Sequence, residues 1–140
     1  MALERDAVTV GTQVPPFVRT TGFDNWNRYA AVNHEFVPIH MEDEAARAAG
    51  FDRAFGMGNL MFSYLHNMLR EWMGDDGRIV SIGCSFRSPN LRGMTVEARG
   101  TVTVVRDEDG ERFVDLDLAV VDHDHPETLL VPATATVALP

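Results

Sequence analysis

The stretch "GNLMFSYLHNMLREW", Gly58 to Trp72, decides the fold class. Leu60, Met61, Phe62, Leu65, Met68, Leu69 and Trp72 recur at helical spacing and occupy well over half of the circumference. A helix apolar over so much of its surface is buried nearly all round rather than along one stripe. The run "GDDG", Gly74 to Gly77, stops it.

Such a helix needs a cover, and the second half of the chain supplies one in runs of period two. Val96, Ala98, Gly100, Val102 and Val104 face one way, against Thr95, Glu97, Arg99, Thr101 and Thr103. The turn signal "DEDG" at Asp107 to Gly110 leads into a run in which Val114, Leu116, Leu118 and Val120 share a face, which predicts a hairpin. A third run carries Val131, Ala133, Ala135, Val137 and Leu139, and an earlier one carries Val80, Ile82, Cys84 and Phe86. Four strands with short connections imply an antiparallel meander with one dry face. A sheet wrapped around one long apolar helix is an α+β arrangement.

At 140 residues the chain is most simply a single domain, residues 1–140, large enough for a real core. The formal net charge of −9 argues against nucleic acid as a partner, since phosphate binding needs a basic footprint. No apolar run reaches membrane-spanning length, and the first residues do not resemble a signal peptide. The single cysteine, Cys84, suits a reducing compartment, so a cytoplasmic location is expected. Its simplest reading is a small buried hydrophobe.

Ahead of the central helix two shorter helical pieces are predicted. Asp24 is placed to cap a turn carrying Trp26, Tyr29 and Ala30, and "EDEAARAAG" runs from an acidic first turn to Gly50 as the C′ residue. Between them lies "NHEFVPIHMED", Asn33 to Asp43. Pro38 removes a backbone donor and pushes Val37 towards an extended conformation, so Glu35 to His40 is read as non-helical. A zinc-protease site is excluded, because it needs His-Glu-x-x-His on one helix and these histidines are six residues apart with a proline between them. His123 and His125 read as part of a solvated turn. No metal and no cofactor are expected.

Two readings of the stretch remain open. Glu35 and His40 could converge on one water as an acid/base pair, since histidine exchanges a proton near neutrality. Alternatively Glu35 and Glu42 cap adjacent turns while His40 hydrogen-bonds a backbone carbonyl. Downstream, "AFGMGNL", Ala54 to Leu60, places glycines directly before the buried helix. A helix N-terminus offers free N–H groups and a partial positive charge that would stabilise an oxyanion; the alternative is that Gly56 and Gly58 only permit a tight turn. Within the helix Ser63, His66 and Asn67 either satisfy one another or line a pocket.

Taken in order, "RYAAVNHEFVPIHMEDEAARAAGF", "AFGMGNLMFSYL" and "FRSPNLRGMTVEARGTVT" resemble the MaoC-like dehydratases, the (R)-specific enoyl-CoA hydratase group of the hot-dog fold. The resemblance spans roughly Phe17 to Val137, with Pro-Ile-His as its most specific part. It implies an antiparallel sheet around a central helix and a hydro-lyase that adds water to a 2-enoyl thioester or removes it. It implies Glu35 and His40 as the catalytic pair, with Glu35 one methylene longer than the family's aspartate. The Gly58 N–H takes the oxyanion role. Met57, Asn59, Ser63, His66, Arg87 and Arg92 fall at substrate-binding positions, the two arginines towards the phosphates of an acyl-CoA. Val37, Met57 and Asn59 depart from the family pattern. The family pairs two such domains, so a homodimer or higher oligomer is implied, or a heteromer in which this chain completes the site of a second hot-dog subunit. A thioesterase on the same fold is a further alternative.

Overall fold

The computed structural model describes residues 3–140. The central helix forms as the periodicity requires: α4 runs Gly58–Met73 and ends at Gly74, whose φ of 72° is the left-handed value glycine tolerates best. Met61, Tyr64, Leu65, Met68, Leu69 and Met73 are buried on it, and Leu60, Phe62 and Trp72 are half-buried. Asn67 is exposed, so it belongs to the narrow wet strip of the helix and not to an apolar setting.

Around α4 wraps one sheet of β1 (Gln13–Thr20), β2 (Arg78–Cys84), β3 (Thr95–Glu108), β4 (Glu111–Asp122) and β5 (Leu129–Leu139). All pairings are antiparallel and the spatial order is β1-β3-β4-β5-β2. This is the hot-dog arrangement. The β3-β4-β5 meander follows the predicted faces: Val96, Ala98, Val102, Val114, Leu116, Leu118, Val120, Val131 and Val137 are buried against α4. The β3–β4 turn places Asp109 at φ 52° and Gly110 at φ 82°, the pair of positive values a two-residue hairpin turn demands.

Four expectations are corrected. The sheet has five strands rather than four. β1 escaped the reading because Pro15 and Pro16 sit inside it, and it is tolerated because β1 is an edge strand with a bulge between Val14 and Phe17, both of which still reach the core. β2 lies at the opposite edge against β5, not beside β3. A bulge between Ile79 and Ser81 turns Val80 outward, and Phe86 lies beyond the strand and is exposed. A third bulge, between Val102 and Val104, likewise turns Val104 out to 41% exposure.

The helices before α4 are α1 (Phe23–Asn33), α2 (Pro38–Met41) and α3 (Asp43–Ala48). Asp24 does not cap α1; the N-cap is Gly22, whose N–H donates to Asn25 Oδ1 at 2.9 Å. Asp24 lies in the first turn, where its charge suits the helix dipole. The non-helical reading holds for Glu35 to Val37 only, because α2 is a single turn that starts on Pro38. Proline is tolerated there, since the first N–H groups of a helix have no intrahelical partner anyway. Gly50 follows α3 at φ 97° as predicted.

Leu65 has no exposed surface and sits at the centre of the main cluster. Leu65→Ala is expected to cost about 2–5 kcal/mol, read as a lower midpoint in urea at unchanged m-value.

Candidate functional site

The site is assembled from α1, α2, the turn before α4 and the loop between β2 and β3. α1 ends on His34, whose φ of 56° is left-handed, and the Glu35 N–H folds back onto Ala30 O at 3.1 Å. This reversal takes Glu35 off the helix axis but keeps its charge beside Tyr29. Burial, and then the Glu35 charge, push the Tyr29 phenol above its ordinary value, against a hydrogen bond from Asn33. Among the described residues the Glu35 carboxylate has no hydrogen-bond or ion-pair partner, His40 included.

His40 is 9% exposed. Its Nδ1 lies 2.7 Å from Phe55 O, and because a carbonyl only accepts, Nδ1 carries the proton. Nε2 is then the ring nitrogen with a free lone pair. The Phe55 ring stands edge-on to the imidazole at 5.2 Å. One observation therefore serves both sequence readings: His40 does bond a backbone carbonyl, and that bond leaves the Nε2 lone pair free.

Phe55 belongs to the segment that enters α4. Its N–H donates to Ile39 O at 3.4 Å, and Gly56 N–H donates to Asn90 O at 2.8 Å. Phe55 and Leu91 form an isolated antiparallel bridge. Ala54 is held on both sides, its C=O by the Arg92 N–H and its N–H by Asp43 Oδ1, each at 2.9 Å. Beyond this stitched segment the N–H groups of Gly58 and Asn59 have no acceptor among the described residues, while Leu60 N–H already bonds Met57 O at 3.1 Å. Two free donors and the positive end of a 16-residue helix thus share one spot.

That spot opens on a cleft of about 320 Å³ with apolar walls of Phe51, Phe55, Met61, Phe86 and Pro89. Gly56, Gly58, Arg87 and Ser88 complete its lining. A side chain at Gly58 would meet the Phe86 ring at 3.0 Å, so the bare glycine leaves that side of the cleft to the ring. A roomier concavity of about 480 Å³ lies on the outer face of the sheet, lined by Ser81, Thr103, Asp115, Asp117 and Thr136; neither His40 nor the α4 N-terminus reaches it.

The other sequence-predicted positions separate. Arg87 lines the cleft, is exposed, and has no ion-pair partner among the described residues. Arg92 does not line it: its guanidinium grips Asp43 through Nε at 3.1 Å and through Nη2, and lies 5.1 Å from the centre of the Phe23 ring. Met57 is 1% exposed and packs with Trp26, Ala30 and Ala54 beneath the turn. Asn59 is exposed. Ser63 and His66 neither line this cleft nor bond one another; each donates one turn back, Ser63 Oγ to Asn59 O and His66 Nδ1 to Phe62 O, both at 2.9 Å. Sequence reasoning missed the aromatic walls, although Phe55 and Phe86 stand inside the quoted motifs. It also missed Asp43 and Asn90, whose partners are distant in sequence. His123, in its turn, bonds buried Glu97 at 2.9 Å. Among the described residues no three potential ligands cluster as a metal site, and no helix is long and apolar enough to cross a membrane.

The Arg92 hydrogen bonds, and then the Ala54 N–H, hold the Asp43 carboxyl below its ordinary value of 3.8. A carboxyl with a depressed folded value binds its proton more weakly folded than unfolded. Its contribution to stability is therefore present above about 3.8 and lost as pH falls through the folded value. The Tm difference between wild type and Asp43→Asn is expected to shrink as pH is lowered from neutrality through that window; a constant difference would contradict it.

Comparison with known proteins bears on the fold and the family. An (R)-hydratase from A. caviae involved in PHA biosynthesis superposes with a TM-score of 0.84 at 24% identity, over 96% of this chain and 98% of that one. The ChsH1-ChsH2 complex from Mycobacterium tuberculosis gives 0.82 at 20% identity, over 94% and 98%. The unliganded R-hydratase PhaJ1 from Pseudomonas aeruginosa gives 0.87 at 15% identity, over 99% and 86%. Such identities speak for the fold. Among curated protein sequences none matches. At the level of sequence, the profile described as MaoC like domain matches residues 8–123, a span that includes α1 to α4, the glycine turn and the loop carrying Arg87, and the chain belongs to that family.

Proposed function

We propose that this chain is an (R)-specific enoyl-thioester hydratase, working in either direction between a 2-enoyl thioester and its 3-hydroxy counterpart. The reading rests on one juxtaposition: Phe55 O fixes the proton of His40 on Nδ1, and three residues later the unpaired N–H groups of α4 begin. The thioester carbonyl oxygen sits at the Gly58 and Asn59 N–H groups. A water held between Glu35 and His40 loses a proton to His40 Nε2 as its oxygen bonds the β-carbon. The C=C electrons move towards the α-carbon and the carbonyl oxygen, whose growing charge the helix N-terminus stabilises. The proton taken up by His40 Nε2 passes to the α-carbon, which completes the addition and returns the imidazole to its starting form, and dehydration is the reverse.

The apolar walls suit an acyl group, and Arg87 suits the phosphates of coenzyme A. A guanidinium that makes one charged hydrogen bond contributes about 1.5 kcal/mol or more, so Arg87→Glu is expected to raise KM for a coenzyme A thioester by roughly tenfold with kcat little changed. The same substitution is expected to leave KM for a pantetheine thioester, which lacks the nucleotide phosphates, unaltered. Arg92, engaged with Asp43, plays no part in this reading.

The chain acts as one domain of a dimer or larger cytoplasmic assembly. Val32, Phe36 and Val37, on either side of Glu35, are 79%, 63% and 40% exposed, an apolar rim that assembly would cover. Met57 supports a second reading, that of a subunit completing a partner's site, because it is buried against Trp26 and brings no side chain to the cleft. Crotonyl-CoA with the purified protein separates the readings. Loss of the conjugated enoyl absorbance supports the hydratase. Turnover only after a second hot-dog subunit is added supports the completing subunit, and release of free thiol instead would sink both.

A further inference from the structure

Beneath the glycine turn lies a buried cluster of polar side chains with unmatched donors. Trp26 and Asn90 have no exposed surface, yet Trp26 Nε1 and Asn90 Nδ2 have no partner among the described residues. Both crowd Gly56: a methyl group there would come within 2.6 Å of Trp26 Nε1 and 3.2 Å of Asn90 Nδ2. On the other side of the amide, the Thr21 hydroxyl faces two acceptors, Asn90 Oδ1 and Met94 O, each at 2.8 Å. It has one proton and serves only one of them.

A single half-turn of the Asn90 amide relieves the Thr21 conflict and turns an acceptor towards Gly56, the side on which Trp26 Nε1 also lies, since the amide oxygen and nitrogen occupy nearly the same space. Nδ2 then donates to Thr21 Oγ, the Thr21 hydroxyl donates to Met94 O, and Oδ1 is presented to the Trp26 Nε1–H. We propose that Asn90 adopts this orientation and is a positioning residue for the hydratase site proposed above, joining α1 to the glycine turn through a buried relay from Trp26 through Asn90 and Thr21 to Met94. The backbone of Asn90 already holds the turn, because its carbonyl takes the Gly56 N–H at 2.8 Å. Its side chain adds the link to α1, the helix that delivers Glu35. One residue thereby sets the spacing between the element that carries the carboxylate and the one that carries both the His40 anchor and the free N–H groups.

The chain has two tryptophans, so a ¹H–¹⁵N spectrum shows two indole signals, which Trp72→Phe assigns. The Trp26 indole N–H is expected to exchange slowly with solvent and to lie downfield of Trp72. It is expected to move upfield in Asn90→Leu, and to stay in place in Asn90→Asp, which keeps an acceptor for it. Thr21→Val, a smaller change, is expected to shift the same signal if Asn90→Leu does not fold. An indole signal indifferent to both Asn90→Leu and Thr21→Val overturns the relay. With the relay established, kcat of a folded Asn90→Leu variant is expected to fall by up to about 10²-fold with KM little changed, the effect of a site displaced by a fraction of a residue. An unchanged kcat overturns the positioning role. A wild-type protein without hydratase activity overturns the hydratase reading and the positioning role built on it, while the indole signal still decides the relay.

Discussion

His40→Ala is expected to lower the hydration of a 2-enoyl thioester by about 10²–10⁴-fold, the range carried by a general base, while the protein stays folded. The substitution removes Nε2 and also the Nδ1–H bond to Phe55 O, a cost of about 1 kcal/mol that a core of this size absorbs. Glu35→Gln keeps the shape and removes the charge, and a loss of similar size is expected if the carboxylate holds the water. The second variant has a readout independent of turnover. The Glu35 charge is one of the two causes that raise the Tyr29 phenol, so its removal is expected to bring Tyr29 down towards its ordinary value of 10.0, leaving the part due to burial. Wild-type rates in both folded variants would end the assignment of this pair, and an unmoved Tyr29 would show that Glu35 does not face α1.

Gly56→Ala and Gly58→Ala are expected to part company although the glycines are neighbours in one motif. At Gly56 the new methyl would lie 2.6 Å from Trp26 Nε1 and 2.9 Å from its Cε2, in an indole with no exposed surface and nowhere to move. Overpacking of that kind costs about 1–3 kcal/mol, more than the roughly 0.4–1 kcal/mol returned by the stiffer unfolded chain. The Tm of Gly56→Ala is therefore expected to fall by several degrees, and its activity with it. At Gly58 the obstacle is the Phe86 ring at 3.0 Å, which is 52% exposed and free to swing aside. Here the unfolded-state term is expected to win, with Tm unchanged or raised and the cleft narrowed. Thermal melts of the two variants decide the matter, and greater destabilisation by Gly58→Ala would contradict it.

Much of the fold was legible because burial writes itself into local period. The helix over Gly58 to Trp72 and the faces of the meander needed no partner to be recognised, since the spacing of apolar residues states which side is dry. The failures share a physical cause. β1 was hidden by Pro15 and Pro16, which only an edge position and a bulge make tolerable, and edge position is a property of the assembled sheet. The bulges that turn out Val80 and Val104 are likewise set by pairing with another strand. Pro38 was read as a helix breaker when it served as a helix starter. The difference lay in whether the chain turned after it.

The site divides in the same way. Glu35, His40 and the glycine turn could be named from their motifs, and Arg87 from its place in "FRSP". Arg92 could not be told from Arg87, because what separates them is a carboxylate 49 residues away in sequence.

The sequence by itself determined the central helix, the dry face of the meander, the family, and the residue types available for chemistry, because each is carried by short-range pattern. Only the tertiary structure decided the strand order, the aromatic cleft, the proton on His40 Nδ1, the capture of Arg92 by Asp43 and the buried cluster under Gly56. Each of these is a contact between segments far apart in the chain, and such contacts follow from the packing of the whole rather than from the pattern of any one part.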